Sequence, residues 1–275
     1  MGDETMAPAD IFRRLIRRAG PISLAHFMAE SNARYYASKD PLGSDGDFVT
    51  APEISQMFGE LIGLWFADLW IRAGRPKPVH YLELGPGRGT LARDALRTMK
   101  RYELDPQVHF VEASPPLRKL QAEAVPEAQF HADLASVPMD GALLVLANEF
   151  LDALPVRQFL RSAEGWRERM VGLDGDTFVY LTGTMPVDAA VPPDWRSARQ
   201  GAIVETSPAA AAVVSEIADR LADQGGCALM MRTAHRGEVA TARDRLIADD
   251  QMGTLFKVMG LGAPGWPSGV GFEDT

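Results

Sequence analysis

The stretch from Val79 to Thr90 constrains the fold more than any other part of the chain. It reads Val-His-Tyr-Leu-Glu-Leu-Gly-Pro-Gly-Arg-Gly-Thr, an apolar strand pattern containing Glu83 that gives way to three alternate glycines. A helical pattern begins directly afterwards at Leu91. Glycines between a strand and a helix let a ligand approach bare backbone amides near a helix N-terminus. The stretch therefore predicts a nucleotide-like cofactor bound where a strand meets a helix.

Beyond this stretch the chain alternates strands and helices in the order of a doubly wound parallel sheet. The predicted strands are 79–84, 108–112, 143–147 and 227–231, and the predicted helices are 90–101, 115–124 and the run from Pro208 to Gly225. Between 156 and about 205 the pattern changes to short alternating segments with an Asp174-Gly175 turn, which indicates a small antiparallel β insertion. We predict an α/β fold with an N-terminal helical region at 1–76 and a cofactor domain at 77–275.

The spacing of the glycines distinguishes two cofactor classes. The dinucleotide fingerprint G-x-G-x-x-G needs a glycine at position 90, where this chain has Thr90. The pattern Glu83-x-Gly85-x-Gly87-x-Gly89 instead resembles the first motif of class I S-adenosylmethionine (SAM)-dependent methyltransferases, whose glycine loop wraps the methionine end of the cofactor. A methyl-donor site is the leading interpretation, and a dinucleotide site and a glycine turn without a ligand are the alternatives.

The next predicted strand ends at Glu112. One ionised carboxylate offers several acceptor sites, so Glu112 can accept hydrogen bonds from both hydroxyls of a ribose. NAD-dependent enzymes use the same device, and Glu112 alone therefore does not separate a methyl donor from a dinucleotide.

Composition excludes several other classes. The chain has 275 residues and a net charge of −9, which argues against a general nucleic-acid binder. A single cysteine, Cys227, rules out an internal disulfide and lies in an apolar run that predicts a buried strand.

The five histidines show no metal-ligand spacing, so we expect no metal. No apolar run is long enough to span a bilayer, and the N-terminus lacks the features of a signal or transit peptide, which makes the bacterial cytoplasm the expected location.

Three blocks together resemble one family. The segments 46–60, 83–91 and 148–156 are similar to those of MidA-type methyltransferases, the bacterial and mitochondrial complex I assembly-factor arginine methyltransferases. The resemblance covers residues 8 to about 230. It implies S-adenosylmethionine as the methyl donor, S-adenosylhomocysteine as the product, and symmetric dimethylation of an arginine on the 49-kDa-type subunit of respiratory complex I.

The candidate catalytic residues follow the strand 143–147. Asn148, Glu149 and Asp152 come at the carboxyl end of that strand, where ligands of such sheets bind. Positions three apart share a helix face, so Glu149 and Asp152 are candidates for binding a guanidinium. Asn148 is the candidate for orienting it. In the alternative interpretation Asn148 caps a helix and the two acids interact with its N-terminal dipole.

Weaker candidates complete the predicted cofactor site. Asp133 follows a strand where related folds place a side chain near the adenine amino group, although a simple turn residue fits as well. The loop ending at Thr50 contains Gly46 and is expected to cover the cofactor, and Thr50 with Glu53 forms a predicted capping box.

The C-terminal part departs from the family. After the strand ending at Met231, relatives continue with Asp-Tyr-Gly and a long further segment, whereas this chain passes to Arg232-Thr233-Ala234-His235. A family segment is thus expected to be missing near 231–232. Two alternatives to an active arginine methyltransferase follow: a SAM-binding but inactive assembly or interaction protein, and an NAD-dependent oxidoreductase.

Overall fold

The computed structural model describes residues 7–38, 51–232 and 255–259. By contacts the described residues form two compact units. The first comprises 7–34 and 153–211, and the second comprises 35–38, 51–152, 212–232 and 255–259. The boundary at residue 76 expected from the sequence falls inside the second unit.

The helices and strands of the described residues alternate from residue 79 onward as predicted. The helices are α1 (Pro8–Ala19), α2 (Leu24–Ser38), α3 (Ala51–Ile54), α4 (Gln56–Arg72), α5 (Thr90–Arg101), α6 (Pro115–Ala124) and α7 (Pro208–Gln224). The strands are β1 (Ile22–Ser23), β2 (Val79–Leu84), β3 (Gln107–Val111), β4 (Gln129–His131), β5 (Ala142–Asn148), β6 (Arg157–Ser162), β7 (Gly165–Asp174), β8 (Thr177–Pro186), β9 (Ile203–Thr206), β10 (Gly226–Arg232) and β11 (Leu255–Met259).

The second unit contains a six-stranded sheet in the order β11-β10-β5-β2-β3-β4. All neighbours pair in parallel except β11, which runs antiparallel to β10. Every residue of β2 is buried, and β5 is buried up to its last residue, as expected for strands covered on both faces. The predicted Rossmann-like doubly wound fold is confirmed. The strand order reverses between β2 and β5, so a ligand is expected at the carboxyl ends of these strands.

Helix α4 packs closely on α5 through two glycines. An added Cβ at Gly63 would lie 2.3 Å from the Ala95 carbonyl oxygen, and one at Gly59 would lie 2.8 Å from the Asp94 Cβ. The side chains of Phe66 and Trp70 complete the buried face of α4. The two helices approach each other to a distance that only glycine permits.

The start of α4 differs from the sequence-based expectation. Ser55 is its N-cap, with a side chain that accepts a hydrogen bond from the Met57 N–H at 3.3 Å. The predicted helix after Thr50 is therefore divided into α3 and α4. The Thr50 part of the proposed capping box lies outside the described residues.

The first unit is built on an antiparallel sheet in the order β1-β7-β6-β9, with β8 also paired to β7. The hairpin β7–β8 closes with the pair Asp174–Thr177, so the turn residues are Gly175 and Asp176, one position beyond the predicted Asp174-Gly175 turn. The N-terminal region supplies β1, in which Ile22 pairs with Val171. The predicted β insertion is confirmed and also receives a strand from the first helical region.

A row of three histidines crosses the sheet of the second unit. His80 Nδ1 and His109 Nε2 lie 3.0 Å apart, as do His109 Nδ1 and His131 Nε2. At the ends of the row, His80 Nε2 contacts the Asp140 carbonyl oxygen and His131 Nδ1 lies 3.2 Å from Ser136 Oγ. Burial, followed by the nearby His80 and His131, lowers the pKa of His109 to about 4. His109, at the centre of this hydrogen-bonded row, is therefore neutral at neutral pH.

No helix within the described ranges is both long and apolar enough to cross a membrane.

Candidate cofactor site

The glycine loop joins the carboxyl end of β2 to α5. Gly85, Gly87 and Gly89 have φ values of 60°, 57° and 81°, a left-handed region that residues with a Cβ rarely adopt. Gly89 is the N-cap of α5, and Thr90 is the first residue of that helix. The loop therefore requires its three glycines, and it ends where backbone amides and the helix dipole favour polar or negative ligand groups.

Gly89 also permits a close approach of α6. An added Cβ would lie 3.1 Å from the Ala124 Cβ and 3.4 Å from the Gln121 Cα. Helix α6 is thus packed directly against the glycine loop.

The carboxylate of Glu112 lies just beyond β3 and is 9% exposed. Its Oε1 accepts the Ser114 N–H at 2.8 Å, and its Oε2 accepts the Gln121 side-chain amide at 3.1 Å. Arg118 holds the adjoining backbone by donating to the carbonyl oxygens of Glu112 and His131 at 2.7 and 3.0 Å. No other described residue donates to Glu112, so among these residues each carboxylate oxygen keeps one acceptor site, which matches the two hydroxyls of a ribose.

Glu83 is fully buried beside Tyr81 at the end of β2. The Tyr81 hydroxyl donates to Glu83 Oε2 at 2.6 Å. Burial raises the pKa of Glu83 to about 7, and the hydrogen bond from Tyr81 opposes this shift. Burial and the nearby Glu83 raise the pKa of Tyr81 above its usual value. The acid that precedes the glycine loop is thus partly protonated near neutral pH.

The candidate catalytic residues form a loop rather than a helix. Asn148 is the last residue of β5, and Glu149 has a left-handed φ of 51°, which costs backbone energy in a non-glycine residue. The Glu149 N–H donates to the Met231 carbonyl oxygen at 2.8 Å, which ties the loop to β10. A single 3-10 turn follows at Leu151–Ala153. The shared helix face expected for Glu149 and Asp152 is absent from this part of the structure, and so is the α-helix that Asn148 would cap.

Phe150 brings this loop against the glycine loop. An added Cβ at Gly85 would lie 2.8 Å from the Phe150 Cδ2. Asn148 and Glu149 are partly buried and Asp152 is exposed. The predicted catalytic and cofactor residues are therefore adjacent, while their roles toward a ligand stay predictions.

Asp133 lies at the turn after β4. Its side chain caps the short 3-10 turn Leu134–Ser136 by accepting the Ser136 N–H at 3.0 Å. The turn role weighed from the sequence is thus present, and contact with adenine stays a prediction. Gly46 and Thr50 lie outside the described residues.

The described residues contain no cluster of histidine, cysteine or acidic side chains that could hold a metal ion. Cys227 is buried in β10 as predicted, and burial raises the pKa of its thiol.

Sequence reasoning missed the side chains that support the site. Gln121, Arg118 and Phe150 act through tertiary contacts that no local pattern reveals. One signal was available: Val79–Glu83 and Val108–Glu112 share the pattern Val-His-aromatic-aliphatic-Glu. The repeat predicts that a histidine and an acid recur on two neighbouring strands, and the observed register offsets the two copies by two residues, with Leu82 opposite His109.

Comparison with known proteins identifies the family of the chain. Residues 61–258 match a family described as "Putative S-adenosyl-L-methionine-dependent methyltransferase". The chain is 36% identical over 260 residues to the mitochondrial protein arginine methyltransferase NDUFAF7 of Mus musculus, with 81% of this chain and 58% of the relative covered. It is also 36% identical over 267 residues to the homologous mitochondrial protein of Drosophila melanogaster, covering 82% and 60%. The chain thus spans somewhat over half the length of these curated relatives.

A solved structure shares the fold. A chain from Burkholderia thailandensis bound to S-adenosyl-homocysteine superimposes with a TM-score of 0.65 and 24% identity. The alignment covers 83% of this chain and 62% of that one.

Proposed function

Because the chain belongs to this family of S-adenosyl-L-methionine-dependent methyltransferases, we propose that it binds S-adenosylmethionine and methylates an arginine of a protein. The observation that carries the proposal is the pairing of a left-handed three-glycine loop with Glu112, held by Ser114 and Gln121. The loop suits the methionine end of the cofactor, and Glu112 suits its ribose. Thr90 in place of a glycine disfavours a dinucleotide.

The arginine substrate is proposed from the loop after β5 and from the names of the relatives. When bound, S-adenosylmethionine would supply a methyl group on a positively charged sulfur. Glu149 and Asp152 would hold a guanidinium, whose planar N–H groups match carboxylate oxygens, and Asn148 would orient it. Glu149 would also accept the proton that the guanidinium loses as its nitrogen gains the methyl group. From the resemblance of the sequence we propose the 49-kDa-type subunit of complex I as the substrate and symmetric dimethylarginine as the product.

A second candidate is a cofactor-binding assembly protein without turnover. It is favoured by one observation: after Met231 the chain reads Arg232-Thr233-Ala234-His235, where the family it resembles has Asp-Tyr-Gly. In this case the cofactor would bind at the same site, but no methyl group would reach a protein.

Calorimetric titration followed by methyl transfer separates these candidates. We expect S-adenosylmethionine and S-adenosylhomocysteine to bind and NAD not to bind. Labelled methyl transfer to the 49-kDa-type subunit should then occur with the wild-type chain and with Glu164→Gln, an exposed control, but not with Glu149→Gln. Cofactor binding without transfer supports the assembly protein, and NAD binding alone contradicts both candidates.

A further inference from the structure

The side chain of Gln121 connects the two parts of the cofactor site. Gln121 is fully buried on α6. Its Nε2 donates to the Gly87 carbonyl oxygen at 2.7 Å and to Glu112 Oε2 at 3.1 Å. Both partners are acceptors only, so the opposite orientation of the amide would place its oxygen against two other oxygens. The hydrogen-bond network therefore fixes the orientation of the amide.

Packing alone gives no reason for an amide at this position. Burying an amide is unfavourable unless it is hydrogen-bonded, and an apolar side chain of similar shape would avoid that cost. Gln121 Oε1 is buried and accepts no hydrogen bond from any residue that the structure describes. Helix α6 is anchored independently, because Ser114 caps its N-terminus and Arg118 donates to two backbone carbonyls. The presence of a buried amide at position 121 is thus explained by its hydrogen bonds to two acceptors and not by the packing of the helix.

We propose that Gln121 is a positioning residue that couples ribose binding to the glycine loop. This inference rests on the proposed cofactor function. One amide group bonds the loop at Gly87 and the acid at Glu112, so it fixes the place of the acid relative to the loop. Ser114 holds the other oxygen of Glu112, and the two donors together set the plane of the carboxylate. The remaining acceptor site on each oxygen would then be available to a ribose diol in one fixed arrangement.

The coupling predicts that the effect of Gln121 depends on the ribose hydroxyls. Gln121→Met keeps a side chain of similar length without its hydrogen bonds. We expect this change to weaken binding of S-adenosylhomocysteine by about tenfold or more, the range for a lost hydrogen bond to a charged group. Binding of the 2′,3′-dideoxy analogue should change by no more than about twofold, because its ribose has no hydroxyl to donate to Glu112.

The experiment is calorimetric titration of the full chain with both ligands. The variants are Gln121→Met, Glu112→Ala and their combination, with thermal unfolding as the folding control. Glu112→Ala should remove the dependence on Gln121, so that the double variant binds no more weakly than Glu112→Ala alone. Equal losses for both ligands, or no loss for either, would overturn the inference. If Gln121→Met does not fold, Gln121→Asn, which keeps a shorter amide, is judged by the same two outcomes. Failure of the wild-type chain to bind S-adenosylhomocysteine would instead refute the proposed function.

Discussion

Glu83 and Tyr81 form a buried acid–phenol pair whose protonation affects the stability of the fold. The pKa of Glu83 is about 7 in the folded protein, against an ordinary value of 4.5. The folded state therefore binds the proton more tightly than the unfolded state. Stability from this group is fully present below pH 4.5 and is lost as the pH rises through 7. Urea unfolding of the wild type and Glu83→Gln should show their free-energy difference changing by up to about 1.4 kcal/mol per pH unit in this window and levelling off above it.

Tyr81→Phe supplies the control for this prediction. The hydroxyl of Tyr81 stabilises the ionised form of Glu83, so its removal should extend the pH-dependent window upward. A difference between wild type and Glu83→Gln that stays constant from pH 5 to about pH 8 would contradict the assigned protonation.

At the residue scale, the sequence predicted the placement of candidate site residues where that placement follows from local chemistry, and their contacts with a ligand stay predictions. Gly85, Gly87 and Gly89 could be predicted because alternate glycines between a strand and a helix have few other uses. The position of Glu112 could be predicted because it directly follows an apolar strand pattern. Gln121 could not be predicted, since only tertiary packing of α6 brings its amide to the glycine loop.

Helix α4 contacts α5 at Gly63. Replacing this glycine by alanine has two opposite effects on stability, one from packing and one from helix propensity. Alanine is favoured over glycine inside a helix by about 1 kcal/mol. At Gly63, however, the new Cβ would lie 2.3 Å from the Ala95 carbonyl oxygen, which is backbone and moves little. We expect Gly63→Ala to lower the free energy of unfolding by about 1–3 kcal/mol, as overpacking does. Chemical denaturation measures the change. Asp68→Ala, on the exposed side of the same helix, is the control and should be close to neutral.

The row of histidines across β2, β3 and β4 predicts sensitivity to acid. The pKa of His109 is about 4 in the fold and 6.5 ordinarily, so the folded state disfavours the protonated ring. The contribution of neutral His109 to the free energy of unfolding is fully present above pH 6.5 and is lost as the pH falls through 4. The imidazole nitrogen resonances of His109 should keep their neutral-form shifts down to about pH 5. Titration of this ring near pH 6.5 would contradict the buried arrangement.

A variant of His80 tests the cause of this shift. Burial is the largest cause, and the nearby His80 and His131 add to it, while Asp140 opposes it. His80→Gln removes one neighbour that can be charged and should raise the pKa of His109 without returning it to 6.5.

At the element scale, long periodic segments could be predicted and short or tertiary-defined ones could not. Strand β5 was evident from a continuous apolar run, β2 from an apolar pattern directly before the glycines, and α5 from its helical spacing. The short strands β4 and β9 escaped prediction because a few residues carry too little pattern to define a strand. The helix expected after Asn148 failed for a backbone reason: Glu149 turns left-handed to meet the Met231 carbonyl, which ends the regular geometry.

At the scale of the whole molecule, both the net charge and the fold favour a site for a small-molecule cofactor. The net charge of −9 gives no general attraction to nucleic acid. The carboxyl ends of β2, β3 and β5 bring together the glycine loop, Glu112 and the loop of Glu149. The fold class followed from the alternation of strands and helices alone, whereas the order of the strands in the sheet comes from the structure. The substrate does not follow from that alternation, because the same fold serves many reactions.

Ligand binding should therefore appear as stabilisation of the whole chain. A ligand that binds only the folded state at one hundred times its dissociation constant raises the free energy of unfolding by about 2.7 kcal/mol. We expect S-adenosylhomocysteine to raise the unfolding midpoint in a concentration-dependent way, and NAD at the same concentrations to leave it unchanged. Glu112→Ala should reduce the ligand-induced shift, because the ribose hydroxyls lose their acceptor. Glu123→Ala, an exposed acid on the neighbouring helix α6, is the matched control and should retain the full shift. Equal shifts in both variants would show that the ligand binds away from Glu112.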